Sequence, residues 1–147
     1  MIISTILTNW YKIHKRSLPW RTTTDPYKIW VSEIILQQTR VQQGKEYYRL
    51  FVEKFPNIQS LGNAGIDEVM KQWQGLGYYN RAQNMHHTAK RIINDYNGII
   101  PDNYSELIKL KGIGPYTAAA IASFAYNESV AVVDGNVKRV LARIFGI

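Results

Sequence analysis

The sequence has 147 residues, 46% of them hydrophobic and 20% charged, which is enough apolar material for one packed core and excludes a disordered chain. It contains no cysteine, so this chain can form no disulfide, thiolate nucleophile, sulfur-based zinc site or iron–sulfur cluster. Eighteen Lys and Arg against 11 Asp and Glu leave a net charge of +7, which points to a polyanion as partner.

Apolar residues recur at helical spacing along most of the chain and period-two alternation is missing, so the fold class is all-α, a bundle of seven to nine helices. Ile3, Ile6, Leu7, Trp10 and Ile13 line one face of a first helix, which Ser17-Leu18-Pro19 ends. A helix follows around 30–41, another around 45–54 closed by Phe55-Pro56, and a short one over 67–73. Ala82, Met85, Ala89, Ile92, Ile93 and Tyr96 form a clean stripe on a helix that stops before Asn97-Gly98. His86 and His87 fall on its polar side and, with His14, show no metal-ligand spacing, so no metal site is assigned.

After Pro101 come a helix over 105–110, a glycine-rich turn and an alanine-rich helix from Pro115 to Tyr126. The run 130–133 has strand propensity but no partner run, and reads as a buried extended connector. The last helix opens near Gly135, turns Val137, Val140, Leu141, Ile144 and Phe145 toward a core, and stops at Ile147 without a cap, as an interrupted protein would. No segment reaches the roughly 20 apolar residues of a membrane span, and no cleavable leader is visible, so a cytoplasmic location is expected.

The most informative turn is Leu110-Lys111-Gly112-Ile113-Gly114-Pro115-Tyr116-Thr117-Ala118. Gly112 and Gly114 permit positive φ and uncovered N–H groups, Pro115 suits a first helical turn, and the helix N-terminus carries partial positive charge. Such a turn either holds a phosphate oxygen or is a tight helix–helix corner whose glycines only satisfy geometry.

Two carboxylates also stand out. Glu33 lies in the otherwise apolar and amide stretch 30–38, where it is either an exposed helix residue or a partly desolvated acid of raised pKa. Asp134 precedes a helix and takes an N-cap position, which keeps a carboxylate rigid and ionised and is compatible with chemistry. Glycosidic hydrolysis divides its work between two such groups, one protonating the leaving group and one placing negative charge beside a developing oxocarbenium ion.

The hairpin, together with Leu18-Pro19-Trp20-Arg21, Asp25-Pro26-Tyr27, Trp30-Val31-Ser32-Glu33-Ile34-Ile35-Leu36-Gln37-Gln38-Thr39, Gly75-Leu76-Gly77-Tyr78-Tyr79 and Val133-Asp134-Gly135-Asn136-Val137-Lys138-Arg139, resembles, in content and order, the adenine-glycosylase family MutY. That family is part of the helix-hairpin-helix DNA glycosylase superfamily, which includes endonuclease III. The resemblance implies a six-helix domain over 21–134 holding the hairpin, with 1–20 and 135–147 an incomplete portion of a second helical domain. It implies that Glu33 protonates adenine at N7, that Asp134 stabilises or transiently captures the oxocarbenium-like sugar, and that Asn136 orients Asp134. Tyr116 stands where lyase-active relatives carry a lysine, which implies a monofunctional enzyme. Trp20, Arg21 and Leu36 would line the base pocket. Gln38, Thr39 and Tyr78 would fill the base stack, and Arg81, Lys111, Gly112, Gly114, Lys138 and Arg139 would lie near phosphates.

The implied substrate is double-stranded DNA carrying adenine opposite 8-oxoguanine or guanine, with the adenine flipped out of the duplex. Complete members of the family carry four cysteines binding a 4Fe-4S cluster, downstream of the segment that begins at Asp134, and then a domain reading 8-oxoguanine. This sequence has neither. A monomer is expected, with self-association through the apolar faces of 2–13 and 137–145 as the alternative, and a nucleoid-associated location if the source is bacterial. Two other functions stay open, a mismatch-specific thymine glycosylase and a noncatalytic DNA-binding remnant; Gln37-Gln38-Thr39 following Glu33 favours adenine.

Overall fold

Asp25 opens the central helix of the molecule: its carboxylate accepts from the Tyr27 N–H at 2.9 Å, and Pro26 fills the first helical position. The computed structural model describes residues 2–147, and among them nine α-helices and one 3-10 turn, Pro19–Arg21, make up the regular structure, with no strand. The helices are α1 (Ile2–His14), α2 (Pro26–Leu36), α3 (Val41–Lys54), α4 (Ile58–Asn63), α5 (Ile66–Trp73), α6 (Asn80–Asp95), α7 (Tyr104–Leu107), α8 (Pro115–Tyr126) and α9 (Gly135–Phe145).

α2 is apolar almost all round, as a helix packed on several sides must be. It buries Tyr27, Ile29, Trp30, Val31, Ile34 and Ile35 and packs against α3 and α8. α4 and α5 pack on α6, α3 touches α5, and α7 lies on α8. Phe51 meets Phe55 and Trp73 edge-on, at centroid distances of 5.1 and 5.8 Å, in the middle of the core. α4 and α6 come so close that a Cβ at Gly62 would collide with Ile93 and press on the Ala89 backbone.

Several expectations need correction. α2 starts and ends earlier than 30–41, because the Asp25-Pro26 cap sets its start and the chain turns at Gln37. α4 was not foreseen; a reciprocal capping box between Asn57 and Ser60 starts it in a stretch too short for a periodic signal. The segment 130–133 is half-exposed rather than buried. His86 is buried, not on the polar side: its Nε2 lies 2.9 Å from the Ala64 carbonyl oxygen, so α6 uses an imidazole to bind the end of α4. The C-terminal helix does carry a cap, since Gly146 at φ +68 closes α9 with its N–H on the Ala142 carbonyl.

The apolar faces of α1 and α9 bury nothing. Ile2 and Ile13 of α1 are both 77% exposed, and Val137, Val140, Leu141, Ile144 and Phe145 of α9, expected to face a core, are exposed as well. Among the described residues, no helix is long and apolar enough to cross a membrane.

Candidate active site

Glu33 projects from α2 and is half-buried, flanked along the helix by the buried Ser32 and Ile34. Desolvation pushes its carboxyl above the usual range, the Asp134 charge adds to that, and a hydrogen bond with the Tyr116 hydroxyl opposes it. Tyr116, in the first turn of α8, is pushed up to about 12 by burial and by the Glu33 charge, so its hydroxyl stays protonated and can only donate to a carboxylate or accept from an acid. Because α2 packs on α8, these two side chains meet on one face of the core.

Asp134 is the N-cap of α9. Its Oδ1 accepts from the Val137 N–H at 2.8 Å and its Oδ2 accepts from the Asn136 amide at 3.0 Å. Those hydrogen bonds hold it below the ordinary aspartate range, with the Val137 N–H contributing most. Asn136 is itself fixed by Arg139, whose guanidinium donates to the amide oxygen at 2.7 Å. The site therefore sets a carboxyl that tends to hold its proton beside one that tends to lose it, the arrangement a general acid and an anionic stabiliser require.

In the hairpin, Ile113 is buried and anchors the turn, while Lys111, Gly112, Gly114 and Tyr116 are exposed. Only Gly112 needs glycine: it sits at φ +78, and a Cβ there would lie 2.8 Å from Cβ of Asn84. Gly114 is extended, with φ −85, has open space where a Cβ would stand, and caps α8 without a side chain. α6 holds the turn from behind. Thr88 donates to the Lys111 carbonyl at 2.7 Å and Arg91 to the Lys109 carbonyl at 3.3 Å. Sequence reasoning missed Asn84 and Thr88, although Arg81, Asn84, Thr88 and Arg91 recur at helical spacing and form a polar stripe that breaks the apolar pattern. Gln37 entered the sequence reading only within the Gln37-Gln38-Thr39 run, with no partner assigned. Its amide donates to Thr117 at 3.4 Å and ties the end of α2 to α8.

The other expected residues fall in separate places. Gln38 and Tyr78 are exposed, each just beyond a helix or glycine turn. Thr39 donates to the Gln37 carbonyl at 3.4 Å, and Leu36 packs over Gly44 of α3. Trp20 meets Tyr48 edge-on at 5.3 Å, and Arg21 lies over the Tyr11 ring and donates to the Arg16 carbonyl at 3.3 Å, so the contacts of this pair run to α3 and α1 rather than to Glu33. Arg81 turns inward onto backbone carbonyls instead of outward, whereas Lys111 and Lys138 are exposed.

An open groove of about 670 Å³ between the Pro19–Arg21 turn and α3, lined by Lys28, Lys45, Glu46, Tyr48 and Arg49, contains neither Glu33 nor Asp134. A smaller cavity of about 210 Å³ lies between α2, α6 and the hairpin, lined by Trp30, Gln37, Arg81, Asn84 and Lys111.

Residues 31–147 match the family described as HhH-GPD superfamily base excision DNA repair protein, a stretch that includes Glu33, the hairpin and Asp134. The chain belongs to this superfamily. Among curated proteins, it is 47% identical over 142 residues to the adenine DNA glycosylase of Buchnera aphidicola subsp. Baizongia pistaciae and 41% identical over 150 residues to that of Homo sapiens. These alignments take in 96% of this chain but 40% and 28% of the relatives, so the chain spans less than half the length of the curated relatives it matches. Among solved structures, a thermostable thymine-DNA glycosylase superposes with TM-score 0.91 at 36% identity, covering 99% of this chain and 67% of that one. Endonuclease III in a non-covalent DNA complex superposes with TM-score 0.83 at 23% identity over 99% of this chain and 68% of that one, which shows the shared fold.

A 4Fe-4S cluster needs thiolate ligands, and with no cysteine the residues of this chain do not fit one. Among the described residues, no group of three His, Asp or Glu side chains is placed to hold a metal ion either.

Proposed function

We propose that this chain is the catalytic part of a monofunctional DNA glycosylase that hydrolyses the N-glycosidic bond of adenine mispaired with 8-oxoguanine or guanine in duplex DNA. The observation that carries this reading is the placement of the half-buried Glu33, hydrogen-bonded with Tyr116, together with the Asp134 that caps α9, on a fold whose curated relatives are named adenine DNA glycosylases. Glu33 delivers its proton to the adenine ring and makes the base a neutral leaving group. Asp134, kept anionic by the α9 N-terminus and Asn136, faces the cationic sugar until water adds. Tyr116 has no amine for a Schiff base, so cleavage stops at the abasic site.

On this reading residues 21–134, which hold seven helices, α2 to α8, rather than the six expected, form one unit, with 1–20 and 135–147 belonging to a second one. The exposed hairpin Lys111-Gly112-Ile113-Gly114 and Lys138 meet phosphates, Gln38, Thr39 and Tyr78 meet the opened stack, and Trp20, Arg21 and Leu36 border the base. The protein acts as a monomer on DNA, in the nucleoid if the source is bacterial, and its bare apolar helices are where self-association would start.

A second reading, removal of thymine opposite guanine, is favoured by the close superposition on the thymine-DNA glycosylase. One assay decides. The chain is incubated with a duplex carrying adenine opposite 8-oxoguanine and with one carrying thymine opposite guanine, and abasic sites are counted. Adenine release is the expected outcome; thymine release transfers the function to the second reading, and binding with neither leaves a DNA-binding remnant.

A further inference from the structure

Four non-glycine residues among those described have positive φ: Gln38 (+56), Tyr78 (+45), Asn97 (+53) and Asn127 (+57). The two asparagines follow α6 and α8, where a left-handed residue commonly ends a helix and asparagine tolerates it. Glutamine and tyrosine do not share that tolerance. For a bulky side chain the left-handed region is strained and persists only where the surroundings impose it. Both residues are exposed, Tyr78 by 66%, so packing of their side chains into the core is not what holds them.

A single guanidinium supplies the restraint. Nη1 of Arg81 donates to the carbonyls of Ile34 at 2.8 Å, Ile35 at 3.3 Å and Gln37, which are the open end of α2. Nη2 donates to the Gly77 carbonyl at 3.2 Å, and Nε to that of Tyr78 at 3.4 Å. The group lies over the Trp73 ring at 5.2 Å and the Tyr78 ring at 5.7 Å. The carbonyls of Gln37 and Gly77 belong to the peptides that immediately precede Gln38 and Tyr78. One cation therefore fixes the incoming peptide plane of both strained residues, across 40 positions of sequence. Arginine alone can do this, because its planar fork offers five fixed donors where lysine offers three on a flexible stem. Its charge also sits favourably against the C-terminal dipole of α2.

We propose that Arg81 is the positioning residue that couples Gln38 and Tyr78 into one rigid two-pronged tip, and that the coupled tip sets the preference for a mispaired over a matched duplex rather than the chemical step. The preference rests on the glycosylase reading above; the coupling does not.

The test is Arg81→Lys in the full chain, which keeps the charge and removes the fork. Amide hydrogen exchange is expected to rise at 37–39 and at 77–79 together. The ratio of Kd values for matched and adenine:8-oxoguanine duplexes should fall about tenfold, while the single-turnover excision constant at saturating protein falls far less, since a loss of charged hydrogen bonds acts here on recognition. Loosening of one segment alone, or of neither, overturns the coupling. Equal falls in the ratio and the excision constant overturn its role in preference. A wild-type chain that excises no base, with both segments still loosening in the variant, refutes the glycosylase reading and keeps the coupling. Should Arg81→Lys not fold, Gln38→Gly and Tyr78→Gly decide, since glycine adopts the left-handed backbone freely. A coupled tip predicts that the double variant loses little more preference than the worse single one, and multiplied losses overturn the proposal.

Discussion

Helix α6, in the body of the molecule, and the two terminal helices carry comparably good amphipathic patterns and meet opposite fates. α6 buries Ala82, Met85, Ala89 and Ile92; α1 and α9 bury nothing. The pattern tells which face of a helix seeks a partner, not whether this chain provides one. The difference matters because the proposed catalytic pair straddles it: Glu33 stands on the most buried helix, and Asp134 caps one of the two bare ones.

The sharpest way to test that division is at the chemistry. Glu33→Gln keeps size and polarity and removes the proton donor. Single-turnover adenine release is expected to fall by about 10²–10⁴-fold with duplex affinity retained, and an unchanged rate would exclude Glu33 from the mechanism. The next contrast is between two tryptophans. Trp73→Ala empties a fully buried site and should cost about 3–5 kcal/mol by urea unfolding, whereas Trp10→Ala, on the bare face of α1, should change stability by less than about 0.5 kcal/mol.

The titrations sharpen the same contrast. On the proposed mechanism excision needs Glu33 protonated and Asp134 ionised, so the rate should fall as pH rises through the raised value of Glu33 and as pH falls through the depressed value of Asp134. In stability the signs follow suit: the Glu33 contribution is present below the ordinary glutamate range and lost as pH rises through its raised value. That of Asp134 is present above the ordinary aspartate range and lost as pH falls through its lowered value. Asp134→Asn still caps a helix, so in a pH–rate profile it should abolish the acidic limb and most of the activity without unfolding α9. The smallest effect separates the two hairpin glycines. Gly112→Ala strains a positive φ and crowds Asn84, lowering both melting temperature and DNA affinity. Gly114→Ala meets nothing in the fold and should lower only affinity, by a similar factor for every sequence.

Much of this was legible in the residues. α6 and α8 follow from clean stripes and from Pro115, and Asp134 reads as a cap because it precedes a helix and has a short acceptor side chain. What was not legible depends on distance across the fold. Arg81 reads as one more surface cation until the ends of α2 and the 75–78 turn are brought to it, and His86 reads as polar until Ala64 arrives. The raised carboxyl of Glu33 was legible in its apolar stretch only as one of two alternatives, and the half-buried place it takes on α2 decides between them.

α6 joins two of these features. Arg81 at its start holds the strained pair, and Thr88, seven residues on, holds the hairpin through Lys111. At 1.5 Å per residue the two anchor points are about 10 Å apart along the axis. The helix is thus a ruler. On the function proposed above, this spacing separates the hairpin from the Gln38–Tyr78 pair, and a residue inserted into α6 between Arg81 and Thr88 would shift one contact against the other.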